Sequence, residues 1–248
     1  MSGFNKVGLL CISVLVFVGA SPIISQTWIY QSESLTPVVM TKGMRSLLES
    51  TEVDLDQDGQ VECLRLNATR AEIWKQLGCS GNSPQGGSGE ILWRSPASWQ
   101  VLQVDLTDLN RDGQGEITLL IWRPFTPWPI DRYLPHKSRI QSFQNADGQS
   151  CHLILIGWQR GEYRELWAGS ALANPLRTFA VGDLNADGLQ ELVVLESDYD
   201  DLANEPAHIL SVWEWNGFGF TRFAGVEGDF HRLTILTSTE DRSYILTQ

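Results

Sequence analysis

The sequence predicts an all-β chain: a β-propeller of four-stranded antiparallel blades, with four blades as the first choice and an open, partial array as the alternative. Three observations carry this. A nine-residue acidic loop recurs at 54–62, 108–116 and 183–191, each time directly ahead of an apolar, strand-like run. Turn residues break the intervening chain into short β-rich segments, and repeated units of four such strands read as a propeller. No segment keeps a helical period, apart from a weak possibility near Met44–Leu48.

The chain opens with one lysine, Lys6, before an uncharged apolar run from Val7 to Ala20. Val18-Gly19-Ala20 offers small residues for cleavage, with Ser25-Gln26 as a later option. Residues 1–25 therefore read as a secretory signal peptide, and 26–248 as the propeller domain. A retained anchor is the alternative, since extending the run to Ile24 gives about 18 residues, the lower limit for a span. Cys11 is poorly placed for lipid attachment, because Leu10 stands before it. On either reading the body lies outside the cytoplasm, secreted or periplasmic.

Each unit has a similar grammar. A strand enters the acidic loop ("RSLLESTEVDL", "WQVLQVDLTDL", "LRTFAVGDL", "HRLTILTST") and a second apolar strand leaves it. A hairpin follows. In unit two it is "CHLILIGWQRGEYRELWAGS", turning at "QRGE"; in unit three it is "HILSVWEWNGFGFTRFAG", turning at Asn216-Gly217. Unit one pairs "AEIWKQL" with "EILWRSP" across a Gly/Ser-rich connection. A fourth, degenerate loop is expected near 237–245, where Asp241 and "YIL" survive without the ligand set. That last unit ends inside its second strand, so "TWIYQSESLTPVVM" is expected to supply the two missing strands and join the chain ends.

The loops concentrate oxygen. The first holds Asp54, Asp56, Asp58 and Glu62; the second Asp108, Asn110, Asp112 and Glu116; the third Asp183, Asn185, Asp187 and Glu191. All fit D-x-[DN]-x-D-G-x-x-E. Two carboxylates about 4 Å apart repel by roughly 1 kcal/mol in water and about 4 kcal/mol at an effective dielectric of 20. A hard cation reverses that sign. Many protein oxygens around a glycine turn suit Ca²⁺, whereas Mg²⁺ keeps its waters. One such loop alone equally fits a solvated turn; the triplicate favours metal. An EF-hand is excluded, because its twelfth position would be Arg65, Leu119 or Val194 and the flanks are β-formers rather than helices.

Composition agrees. The chain has 248 residues, 42% of them hydrophobic, enough for a sizeable core. Its formal net charge is −12, and ten of its carboxylates lie in the three loops, so three calcium ions would cancel six charges. No basic patch argues for nucleic acid. After the signal, Cys63, Cys79 and Cys151 remain, an odd number that argues against a disulfide framework; a Cys63–Cys79 bridge and three separate thiols both stay open. The ten tryptophans read as packing between blades.

The loops and their strands resemble FG-GAP, or VCBS-like, repeats: the calcium-loop blades of integrin α-subunit propellers and of many secreted bacterial proteins. The likeness covers 53–66, 107–122 and 182–196 well, and 40–248 loosely. It implies calcium between the first and second strands of a blade. Positions one, three, five and nine would ligate by side chain, and position seven, Gln60, Gln114 or Leu189, by its backbone carbonyl. Two features depart from the integrin pattern. Position nine is Glu where Asp is frequent, and the chain is too short for seven blades.

No enzyme site is expected. His136, His152, His208 and His231 are scattered, and no nucleophile-elbow, zincin or phosphate-loop motif occurs. The expected function is an exported calcium-binding module for protein interaction, adhesion or scaffolding, with structural Ca²⁺. A lectin-like glycan-binding propeller, or an extracytoplasmic hydrolase or lyase with a channel site, is the alternative. Two segments are candidate partner surfaces: 122–144, with Arg123, Trp128, Arg132 and Tyr133 among four prolines, and the acidic 196–208. Both link second to third strands, so both are expected on the face opposite the acidic loops.

Overall fold

A computed structural model describes residues 26–38, 45–46, 52–75, 90–127, 142–237 and 243–248. Residues 1–25, expected to be a signal peptide, Cys79, Trp128, Arg132, Tyr133 and residues 238–242, where a degenerate loop is expected, lie outside the described residues. The described residues form strands and no helix.

The strands are β1 (Gln26–Gln31), β2 (Ser34–Val38), β3 (Arg45–Ser46), β4 (Glu52–Val53), β5 (Glu62–Asn67), β6 (Arg70–Lys75), β7 (Glu90–Arg94), β8 (Gln100–Thr107) and β9 (Glu116–Pro124). After them come β10 (Gln149–Gln159), β11 (Glu162–Ala168), β12 (Leu176–Gly182), β13 (Glu191–Glu196), β14 (Ala207–Trp215), β15 (Phe220–Phe230), β16 (Leu233–Thr237) and β17 (Ser243–Thr247). They make four antiparallel sheets. Three are simple meanders, β4-β5-β6-β7, β8-β9-β10-β11 and β12-β13-β14-β15. The fourth joins the two ends of the chain in the order β2-β1-β17-β16-β3.

The turns follow from their residues. Arg160 and Gly161, at φ of 58° and 84°, close the β10–β11 hairpin in the left-handed geometry that matches strand twist. Asn216 closes the β14–β15 hairpin: its amide donates to Gly219 O at 2.9 Å, and its Oδ1 accepts from Phe218 N and Gly219 N. The weak helical signal near Met44–Leu48 gives way to strand, since Arg45 and Ser46 pair with Thr237 and Leu236. Helical spacing over so few residues cannot outweigh an open strand edge.

The sheets stack through their faces. In β9, Ile117, Leu119 and Ile121 point to a core shared with Leu64, Ala71 and Ile73 of the first sheet. Leu120, one step out of phase, points to a core shared with Phe179, Val181, Leu192 and Val194 of the third. In β13, Val193 and Leu195 turn the other way, onto Trp28, Tyr30, Ile235 and Ile245 of the fourth. A strand buried on both faces reads as an unbroken apolar run, which is why "ITLLI" and "LVVL" lack alternation. Each fully buried Leu or Ile contributes about 1.5–3 kcal/mol.

First strands meet in succession, β8 against β12 and β12 against β16. Gln103 stitches the first of these contacts. Its Nε2 donates to Phe179 O at 2.7 Å, and its Oε1 accepts from Thr178 Oγ1 at 2.8 Å and Phe179 N at 3.1 Å. In the fourth sheet, Thr27 and Trp28 pair with Leu246 and Ile245, and the buried Trp28 Nε1 donates to Thr247 Oγ1 at 3.0 Å. Cys63 is disulfide-bonded, while Cys151 is a buried free thiol.

Candidate metal centres

One hydrogen-bond scheme is built three times. The position-one carboxylate accepts the amides of positions five and six: Asp54 from Asp58 (3.1 Å) and Gly59 (2.9 Å), Asp108 from Asp112 (3.1 Å) and Gly113 (3.2 Å), Asp183 from Asp187 (3.2 Å) and Gly188 (2.9 Å). The position-three oxygens of Asp56, Asn110 and Asn185 accept from the same position-five amides at 3.1, 3.0 and 2.9 Å. Position five then accepts the amide of Gln60, Gln114 or Leu189 at 2.8–2.9 Å. The chain coils around its own acids.

That coil needs left-handed backbone at two places. Position four takes it without glycine, at Gln57 (φ 59°), Arg111 (63°) and Ala186 (62°). Position six takes it with glycine, at φ of 84°, 79° and 84°. A Cβ added to Gly113 would meet nothing within 4 Å, so glycine is required there for torsion rather than space.

The position-nine glutamate opens the outgoing strand and folds back over the loop. Glu62, Glu116 and Glu191 are buried, and each accepts the amide of position two: Leu55 at 2.8 Å, Leu109 at 2.7 Å, Leu184 at 2.8 Å. Those leucines plug the three cores, one each. The acidic pattern does not mark them, although Leu stands at position two in every copy.

A buried carboxylate resists ionisation. Desolvation pushes Glu116 up to about 7 despite bonds from Thr107 and Leu109, and Glu191 up to about 7 despite the Leu184 amide. Glu62 is raised for the same reason. Glu116 Oε2 is buried without a hydrogen-bond partner. Asp108, Asp112 and Glu116 bring ligand oxygens within 4.8 Å of one another, as do Asp54, Asp56 and Asp58. An unpartnered buried oxygen beside two convergent carboxylates fits a hard divalent cation, and an ion there would stabilise the charged form that burial disfavours.

The loops differ in what lies across the ladder from that glutamate. Glu62 faces Lys75, which reaches over to Asp58 at 2.6 Å. That bond, chiefly, lowers the Asp58 pKa. Ile117 pairs with Ile156, so Glu116 stands beside Gly157. Leu192 pairs with Trp213, so Glu191 stands beside Glu214. Arg111, from the second loop, answers that acidic pair at 3.4 Å from Glu191 and 3.8 Å from Glu214.

At the other ends of these strands, a cleft of about 440 Å³ separates the second and third sheets. Trp122, Asn145, Gln149, Arg177, Asp198 and Tyr199 line it, bringing the roots of the 122–144 segment against the 196–208 loop. Trp122 and Tyr199 meet edge to face, with centroids 5.6 Å apart. Arg123 lies outside this lining, half-buried 6.0 Å from the Trp99 ring. Asp198, Asp201 and His208 also converge here, a grouping that sequence reasoning missed because it treated His208 alone. His208 Nε2 sits 3.1 Å from Asp201. His152 is structural: Nδ1 donates to Gly169 O at 2.9 Å, Nε2 accepts from Ser150 Oγ at 2.8 Å, and burial lowers its pKa to about 4.

No family model matches the chain, and no curated protein matches it.

Proposed function

We propose that this chain is an exported, calcium-stabilised β-propeller of the FG-GAP type, serving as a binding or scaffold module. The repeated loop carries the reading: three acidic coils of one hydrogen-bond scheme, each closed by a buried glutamate. Calcium would be held by Asp54, Asp56, Asp58 and Glu62, by Asp108, Asn110, Asp112 and Glu116, and by Asp183, Asn185, Asp187 and Glu191. The backbone carbonyls of Gln60, Gln114 and Leu189 would complete the sets. The ions act structurally, tying each entry strand to its exit strand.

Four stacked sheets, first strands in succession and a fourth sheet completed by the N-terminal strands all support a four-bladed ring. The cleft at the opposite end supports a partner surface there. One observation favours a second reading, a glycan-binding propeller: the cleft sets the Trp122–Tyr199 pair among amide, guanidinium and carboxylate side chains, the mixture of aromatic face and planar polar groups that suits a saccharide.

The test is elemental analysis of the full chain after gel filtration in calcium. Two to three bound ions per chain are expected; fewer than one contradicts the proposal. A glycan array separates the two readings, since binding lost in Trp122→Ala supports the second.

A further inference from the structure

Resting on that reading, we infer that Arg111 is the resident cation of the third loop and makes it the weakest calcium site of the three. The cause lies in the β13–β14 ladder. Leu192 faces Trp213, which sets Glu191 beside Glu214 at the mouth of the loop. Like charges opposed across a ladder destabilise it, and Glu191 is fully buried. The guanidinium of Arg111 reaches both, 3.4 Å to Glu191 Oε1 and 3.8 Å to Glu214 Oε2.

Arg111 is held for this task. It occupies position four of the second loop, where the coil fixes its backbone at φ 63°. The second loop is locked to the third by a separate bond, Asp108 N donating to Gln190 Oε1 at 2.7 Å. Tyr30, from the N-terminal strand, donates to the other oxygen of Glu214 at 2.7 Å and steadies that carboxylate. Arg111 Nε is buried without a hydrogen-bond partner, and the side chain as a whole keeps only 19% of its surface exposed.

The consequence appears in the ligands. The second loop brings Asp108, Asp112 and Glu116 together; among the described residues, Asp183, Asp187 and Glu191 form no such group. Glu191 Oε1 faces Arg111 and Asn185 Nδ2 instead, each at 3.4 Å. An ion entering the third loop must compete with a fixed positive charge for that oxygen. The first loop has its own cation, Lys75, but the Lys75–Asp58 pair is one-third exposed. Water and salt screen such a pair, and a calcium ion displaces the lysine readily. The Arg111–Glu191 pair is more buried, with side chains 19% and 0% exposed, and is screened less than the exposed pair.

Calorimetric titration of the calcium-free full chain with calcium chloride tests this. Two tight steps are expected, with a third weaker by at least about tenfold. Asp183→Asn should delete the weak step and leave the other two. Arg111→Gln should tighten the third step by about tenfold, while Arg111→Lys, which keeps the charge, should leave it weak. Three equivalent steps in the wild type, or an Arg111→Gln third step unchanged, would overturn the assignment and leave the calcium reading standing. A chain that binds no calcium overturns both.

Discussion

Glu116 Oε1 accepts the amide hydrogen of Leu109 at 2.7 Å, and Leu109 is fully buried between the second and third sheets. One carboxylate thus connects an apolar anchor, an acidic coil and the start of a central strand. The same bond recurs at Glu62 with Leu55 and at Glu191 with Leu184. If calcium sits in the coil, that carboxylate transmits its binding to the packing of the sheets.

Glu116→Gln keeps the shape and removes the charge. Its expected effect is loss of calcium stabilisation at one site, about 2.7 kcal/mol when calcium stands 100-fold above the dissociation constant. In EDTA the variant should be as stable as the wild type or more so. Glu116→Ala leaves the buried Leu109 amide unsatisfied and should cost about 1–3 kcal/mol with or without calcium. Urea melts in both conditions separate the two effects.

The metal-free protein should respond to pH through the same residue. The folded pKa of Glu116, about 7, lies above its ordinary value. The folded state therefore binds more protons between about 4.5 and 7, and its stability falls as pH rises through that window. His152, lowered to about 4, acts in the opposite sense and loses its contribution as pH falls. The comparison is therefore wild type against Glu116→Gln in EDTA. The wild type should lose ground to the variant from pH 4.5 to 7; a difference that does not change with pH contradicts this.

Gly113→Ala tests the torsion alone. With open space around the new methyl group, the cost should be about 1–2 kcal/mol, the expense of left-handed backbone for an L-residue. Thermal melts of the variant against wild type read it directly.

Trp28 ties the chain ends together, packing edge to face on Phe230 at 6.4 Å and donating to Thr247. Trp28→Ala should cost about 3–5 kcal/mol. Deleting residues 1–38 removes β1 and β2 whole and leaves β17 an open edge, so cooperative unfolding should be lost. A truncated chain with an unchanged melt contradicts the role given to these strands.

The loops, the hairpin turns and the pairing of chain ends were legible in the sequence because each depends on local chemistry: alternate oxygens around a glycine, Asn-Gly, a strand run with no partner nearby. The rest depends on register. Nothing near Glu62, Glu116 or Glu191 announces that Lys75, Gly157 and Glu214 stand beside them, since that follows from which residues face one another between the second and third strands of each sheet. Arg111 meets Glu191 across 80 positions, and in the sequence it reads as one more loop residue. Leu109 carries no signal in the sequence, because an apolar residue within an acidic loop gains meaning only once the core beneath it exists. The strand at Arg45–Ser46 is set by the free edge of β16, not by its own residues.

On the proposed reading these acids are crowded to hold ions that fasten strand to strand. Melting the chain from Gln26 onward in calcium and in EDTA tests it most directly. A rise of several degrees in calcium is expected, growing with calcium concentration and lost in Glu116→Gln in proportion to one site. Identical melting curves in calcium and EDTA would contradict it and reduce the three coils to acidic turns that stand on their own hydrogen bonds.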